Sequence, residues 1–149
     1  ATLILALAYC INTITKSMGA ADFLLGVCES WMTPALFLSV TFIAGAVISF
    51  FTGSSWGTFA ICIPIAVPMA YSFTGGQLGT LVYAAVGAVV SGGLFGDHCS
   101  PVSDTTVLSS LGAACDHIDH VRTQLPYALL AAAVSMILWV VVAMVGGAA

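Results

Sequence analysis

The stretch TGSSWGTFAICIPIAVPMA, Thr52 to Ala70, decides how the chain folds. It opens with four hydroxyls (Thr52, Ser54, Ser55, Thr58) and two glycines within seven residues, and such side chains compete with helical hydrogen bonding. It then turns apolar and carries Pro64 and Pro68. The composition predicts a helix break over Thr52 to Thr58, followed by a short, kinked helix from Phe59 to Phe73.

What surrounds this stretch sets its environment. No Asp, Glu, Lys, Arg or His occurs from Ser30 to Gly96, a run of 67 residues. At about 1.5 Å per residue, a run of that size makes about three crossings of a hydrocarbon core about 30 Å thick. Thr123 to Ala149 is a second uncharged stretch and holds one more crossing. The whole chain is 60% hydrophobic and 5% charged, which excludes a soluble domain, where about a quarter of the residues are charged. Lys16 and Arg122 form no basic cluster and the net charge is -4, so nucleic acid is excluded as a partner. The fold class is therefore all-α, a polytopic transmembrane helix bundle with broken or re-entrant helices. Irregular backbone at membrane depth survives only when it is buried in protein or lines a wet cavity.

Upstream of the break, Thr33-Pro34 is a helix start, with Thr33 as N-cap and Pro34 in the first turn, and the helix runs to Phe51. Lys16 to Trp31 interleaves Lys16, Asp22 and Glu29 with Phe23, Leu24, Leu25 and Val27, which suits an amphipathic interfacial segment anchored by Trp31. Leu3 to Ile14 reads as the end of a further helix. The expectation is a single transmembrane domain, residues 1–149, that is a piece of a longer polytopic protein.

Downstream, Gly75-Gly76 is a turn, and a helix is expected from Leu78 to Phe95. On it Ala84, Ala88, Gly92 and Gly96 repeat every four residues, a ridge of small side chains that lets another helix approach. Packing within the chain is the preferred use of this ridge, a homodimer the alternative. Short helices are expected from Thr105 to Ala114, with Asp104 as N-cap, and from Asp116, with Asp119 placed to pair with Arg122. A last helix runs from Leu125 to Val145, with Pro126 in its first turn. The five cysteines are odd in number and scattered, which indicates no disulfide framework.

The chemistry concentrates in GDHCSPVSDTTVLSS, Gly96 to Ser110. Pro101 denies the backbone a donor and Gly96 loosens the helix end, so carbonyl oxygens over residues 97–102 are expected to be free. Unwound carbonyls, hydroxyls and carboxylates together make the oxygen shell of a monovalent cation, as in the broken helices of secondary transporters. A carboxylate inside such a shell is taken in turn by proton and cation, which couples the two. Asp104 ranks first as that group because Ser103 and Thr105 flank it, and Asp97 second; Ser100, Ser54, Ser55 and Thr58 are further ion ligands, and His98 is a proton relay. A different chemistry uses His98, Cys99, Cys115, His117 and His120 as N and S ligands of a transition metal, although their spacing matches no zinc pattern. Gly53 to Gly57 fits the GxSxG of serine hydrolases, but without the strand-to-helix elbow that gives the motif its meaning, so the chain is read as no enzyme.

Three stretches, TGSSWGTFAICIPIA (Thr52 to Ala66), FGDHCSPVSDTTVLSS (Phe95 to Ser110) and CDHIDHVRTQLPYA (Cys115 to Ala128), resemble the NhaC-type Na+/H+ antiporter family in content, order and spacing. The resemblance covers the chain from about Pro34 onward and the C-terminal portion of the family. It implies a multi-pass inner (plasma) membrane protein of the ion transporter superfamily that exchanges Na+ for H+, in some relatives with an organic acid such as malate or lactate. The family signature falls on Asp97, His98, Ser100, Pro101, Ser103, Asp104 and Thr105, and on Ser54, Ser55 and Thr58. No cofactor is implied, and the N-terminal half of the transporter is the missing partner of the site.

Overall fold

The computed structural model describes residues 32–146, together with 10, 13, 14, 17–19, 23, 26 and 27. Most of the N-terminal apolar run lies outside the described residues, as do Lys16, Asp22, Glu29 and Trp31 of the interfacial segment. Within residues 32–146 five helices follow one another: α1 Pro34–Thr52, α2 Ser55–Phe73, α3 Thr80–Cys99, α4 Asp104–Gly112 and α5 His117–Gly146, with no strand among the described residues. Four of them, all but α4, are long and apolar enough to cross a membrane, so the chain is an all-α, multi-pass membrane protein.

The start of α1 is built as its residues dictate. Thr33 accepts the Leu36 N–H on its hydroxyl at 3.4 Å, and Pro34 occupies the first turn, where no donor is needed. The helix stops because Gly53 takes a left-handed conformation (φ 65°) and returns its N–H to the Ser49 carbonyl at 2.8 Å. Ser54 then caps α2 by accepting from Gly57 N. The first break is thus two residues, Gly53 and Ser54, where the composition predicted seven. Ser55 and Thr58 are helical: Thr58 donates to the Ser54 carbonyl at 2.9 Å and Ser55 to a side chain of another helix, so neither needs an unwound backbone. Consequently α2 has 19 residues and is long enough for a full crossing, instead of the short arm expected from Phe59.

The α3 helix continues through Gly96 to Cys99, past the end expected at Phe95. Gly96 does not loosen it, because the helix is clamped there against α1. A Cβ on Gly96 would collide with the Ala46 carbonyl, and one on Gly92 with the Phe42 carbonyl. Ala88 and Ala84 of the same ridge are buried as well. The ridge is therefore consumed inside the chain. In lipid, where apolar surface gains little by meeting apolar surface, such backbone approach is what holds helices together.

The pairings Phe42 with Gly92 and Ala46 with Gly96 make α1 and α3 parallel, whereas Phe59 packs on Gly93 and Ser55 reaches Asp97, so α2 runs antiparallel to both. The α5 helix also runs antiparallel to α3, docked by the Trp139 indole N–H, which donates to Ser91 Oγ at 3.1 Å. At one end of the bundle an apolar core forms around Phe37, Leu38, Met69, Ala70, Leu81, Val82 and Ala85. At the other end meet the last turns of α1 and α3 and the first turn of α2.

The α4 helix begins at Asp104 with Ser103 as its N-cap, one residue earlier than expected, and ends at Gly112. Asp116 caps α5 through the N–H groups of Ile118 (2.9 Å) and Asp119 (3.1 Å), and Asp119 lies 4.0 Å from Arg122, as predicted. The polar start and the apolar span are one helix of 30 residues, so Pro126 sits inside it and not in a first turn.

Candidate functional site

The two chain breaks lie against each other, backbone to backbone. A Cβ on Gly53 would stand 2.8 Å from the Val102 carbonyl oxygen and 3.0 Å from Ser103 N, and φ at Gly53 is positive, so glycine is required twice over. Ser100 secures the contact by donating its hydroxyl to the Phe50 carbonyl at 2.6 Å, and it accepts from Val102 N at 3.2 Å. One helical turn back, Ser49 donates to the Gly93 carbonyl at 2.6 Å.

Between the breaks sits Asp97, 7% exposed, two residues before the end of α3. Its Oδ2 accepts from Ser55 Oγ of α2 at 2.8 Å and its Oδ1 from Ser103 Oγ at 2.6 Å. Ser103 has one hydrogen and gives it to the carboxylate, so the 2.7 Å contact with Thr105 is a bond donated by Thr105 Oγ1. Five oxygens from three chain segments thus stand in one cluster: two of Asp97 and one each of Ser55, Ser103 and Thr105. The other buried polar residues described (Ser49, Thr58, Ser100, Thr106, Ser110) are all hydroxyls, so Asp97 is the one buried acidic, basic or histidine side chain among the described residues.

No Lys, Arg or His nitrogen among the described residues lies within 4.0 Å of Asp97; the ion pair found is the exposed Arg122–Asp119. A buried carboxylate without a cationic neighbour is costly unless a cation or a proton joins it. Two hydroxyl donors lower that cost without cancelling the charge.

The remaining predicted residues are distributed otherwise. Asp104 is exposed on the first turn of α4, and among the described residues no side-chain hydrogen bond joins it to the Asp97 cluster. Ser54 is occupied as a cap, Thr58 with the Ser54 carbonyl, and Ser100 with α1. His98 lies one residue from Asp97, and consecutive helical residues point about 100° apart. Its ring lines a separate cavity of about 240 Å³ between α1, α3 and α5, with Ser91, Phe95 and Ser135.

Of the carbonyls expected to be free over residues 97–102, those of Asp97, His98, Ser100 and Pro101 are taken. Thr106 donates toward the carbonyls of Asp97 (3.5 Å) and His98 (3.3 Å), and His117 reaches that of Pro101 at 2.7 Å. The oxygen cluster around Asp97 is built from side chains. Among the described residues no three His, Cys, Asp or Glu gather, so His98, Cys99, Cys115, His117 and His120 are not brought together as one set. His117 is bonded to Pro101 and Ser110, Cys99 is buried in α3, and Cys115 is exposed.

Sequence reasoning passed over Ser49, gave Thr106 no structural role and took His117 only as a candidate metal ligand. A signal for the first was present: Gly45, Ser49 and Gly53 repeat every four residues on α1, a second ridge of small side chains facing the first. Nothing in the sequence marks Thr106 or His117 as partners of carbonyls that lie eight or nine and sixteen residues away, respectively.

Compared with known proteins, residues 1–144 match the model of the Na+/H+ antiporter family. An uncharacterized protein of Haemophilus influenzae is 47% identical over 140 residues, which cover 93% of this chain and 26% of that protein. The malate-2H+/Na+-lactate antiporter of Bacillus subtilis is 37% identical over 76% of this chain and 23% of its own length. The Na+/H+ antiporter NhaC of Alkalihalophilus pseudofirmus is 34% identical over 80% of this chain and 25% of its own. The chain thus spans about a quarter of the length of these relatives. No solved structure matches it.

Proposed function

From the premise that this chain belongs to the Na+/H+ antiporter family, we propose that Asp97 is the group on which Na+ and H+ alternate as the transporter exchanges them across the plasma membrane. The 149 residues act as one transmembrane domain, the C-terminal part of that transporter, and the rest of the protein supplies the other walls of the site. The observation that carries this reading is the buried carboxylate between two helix breaks, met by hydroxyls and by no cation among the described residues.

The hydrogen bonds suggest how the exchange is coupled. With Asp97 ionised, Ser55 and Ser103 both donate to it, so their lone pairs point elsewhere. When Na+ arrives, the hydroxyls rotate and offer lone pairs to the ion, while the carboxylate oxygens neutralise it; the cation needs that mixed oxygen shell. When a proton arrives, the carboxyl becomes a donor, and one of the two hydroxyls must accept in place of donating. Na+ and H+ therefore compete for the one negative charge of the same carboxylate, and occupancy by one disfavours the other. Asp104, exposed beside Thr105 on α4, is assigned to the approach to the site and not to coupling.

A second reading adds an organic acid. The similarity to a protein named for malate and lactate supports it, and carboxylate-dependent Na+ movement would separate it from simple exchange. The test of the main reading is Na+-induced proton movement in everted membrane vesicles carrying the full-length transporter: Asp97→Asn removes it, with the protein still in the membrane.

A further inference from the structure

We infer that His117 is a positioning residue for the Asp97 site, acting on the second break through the Pro101 carbonyl; this rests on the coupling role proposed for Asp97. His117 is the first residue of α5, held there by the Asp116 cap, and it is half-buried. Its Nε2 stands 2.7 Å from the Pro101 oxygen, and Nδ1 stands 3.2 Å from Ser110 Oγ at the end of α4. A carbonyl oxygen only accepts, so Nε2 carries a hydrogen whatever the charge of the ring. Ser110 turns its single hydrogen either to Nδ1 or to the Val107 carbonyl at 2.8 Å, and either arrangement leaves the Pro101 bond intact.

The break from Ser100 to Ser103 is pinned on three sides. Ser100 is tied to the Phe50 carbonyl of α1, Val102 rests on Gly53, and Pro101 is held from α5 by His117. Ser103, two residues after Pro101, delivers the hydroxyl that meets Asp97. The first two pins fix the break against α1, whereas His117 fixes it from α5 and sets how far Ser103 is carried toward Asp97. Because Pro101 has no N–H, its carbonyl is the group through which that residue can be tethered.

Two amide side chains separate the functions of the ring. Glutamine places a donor near the position of Nε2 and keeps the Pro101 bond; asparagine places its polar atoms near Nδ1 and keeps only the Ser110 contact. In the full-length transporter, Na+ titrations of proton exchange in everted vesicles are expected to show His117→Ala and His117→Asn with half-saturating Na+ raised about tenfold or more and maximal rate largely kept, as for supports of metal ligands. His117→Gln is expected to return half-saturation to within about threefold of the parent. Equal half-saturation in all four proteins, or equal loss in Gln, Asn and Ala at matched membrane abundance, overturns the inference. Asp97→Asn runs in parallel: if it exchanges normally the coupling reading fails, and if it is inactive while the His117 variants match the parent, only the positioning role fails.

Discussion

Ser103 donates its hydroxyl to Asp97, six residues earlier in the chain, at 2.6 Å, so the second break folds back on the helix that it ends. The same oxygen accepts the Thr105 backbone N–H at 3.2 Å and caps α4. One hydroxyl thus serves the site and the helix that leaves it.

Replacing Ser103 by alanine should therefore weaken both. Loss of an N-cap costs about 0.5–2 kcal/mol of stability, and Na+ affinity should fall in addition because one oxygen of the cluster is gone. Ser103→Thr keeps a hydroxyl and should retain most Na+ affinity. Na+ titration of exchange together with thermal unfolding in detergent measures the two effects separately.

The α1–α3 contact should tolerate nothing larger than hydrogen at Gly96. Gly96→Ala puts a methyl into the Ala46 carbonyl, 2.7 Å from Phe50 N, and overpacking costs about 1–3 kcal/mol even where side chains can yield, which backbone does less easily. Gly112→Ala at the end of α4 meets nothing within 4 Å and should be neutral or slightly stabilising, since alanine favours helix by up to about 1 kcal/mol. Melting of the two variants side by side in detergent checks the contrast.

Ser49 gives a third case. Its hydroxyl is fully buried and donates to the Gly93 carbonyl, a bond whose removal in Ser49→Ala should cost about 0.5–1.5 kcal/mol. Ser49→Leu should be far worse, because the side chain lies where α1 and α3 touch. Membrane abundance of full-length protein, compared between the two variants, reads the difference.

Much of this fold is written in local patterns. Thr33-Pro34 opens α1, Gly53 closes it, Asp116 opens α5, and the Ala84-to-Gly96 ridge meets a partner inside the chain, because caps and small-residue spacing act over a turn or two. The differences between the sequence reading and the structure share one cause. Whether Thr58, Ser100 or Thr106 unwinds a helix, binds an ion or satisfies a carbonyl depends on what stands opposite, and for Ser100 that is Phe50, fifty residues away. The preference for Asp104 over Asp97 rested on neighbouring oxygens in sequence. In space, Ser103 turns its oxygen back to Asp97, and Ser55 adds a second from another helix.

The central claim is tested most directly by comparing Asp97→Asn with Asp104→Asn in the full-length transporter, at equal membrane abundance, by Na+-induced dissipation of a pH gradient in everted vesicles. The account predicts no Na+-dependent proton movement for Asp97→Asn and retained exchange, with at most a shifted Na+ dependence, for Asp104→Asn. Parental exchange by Asp97→Asn would contradict it.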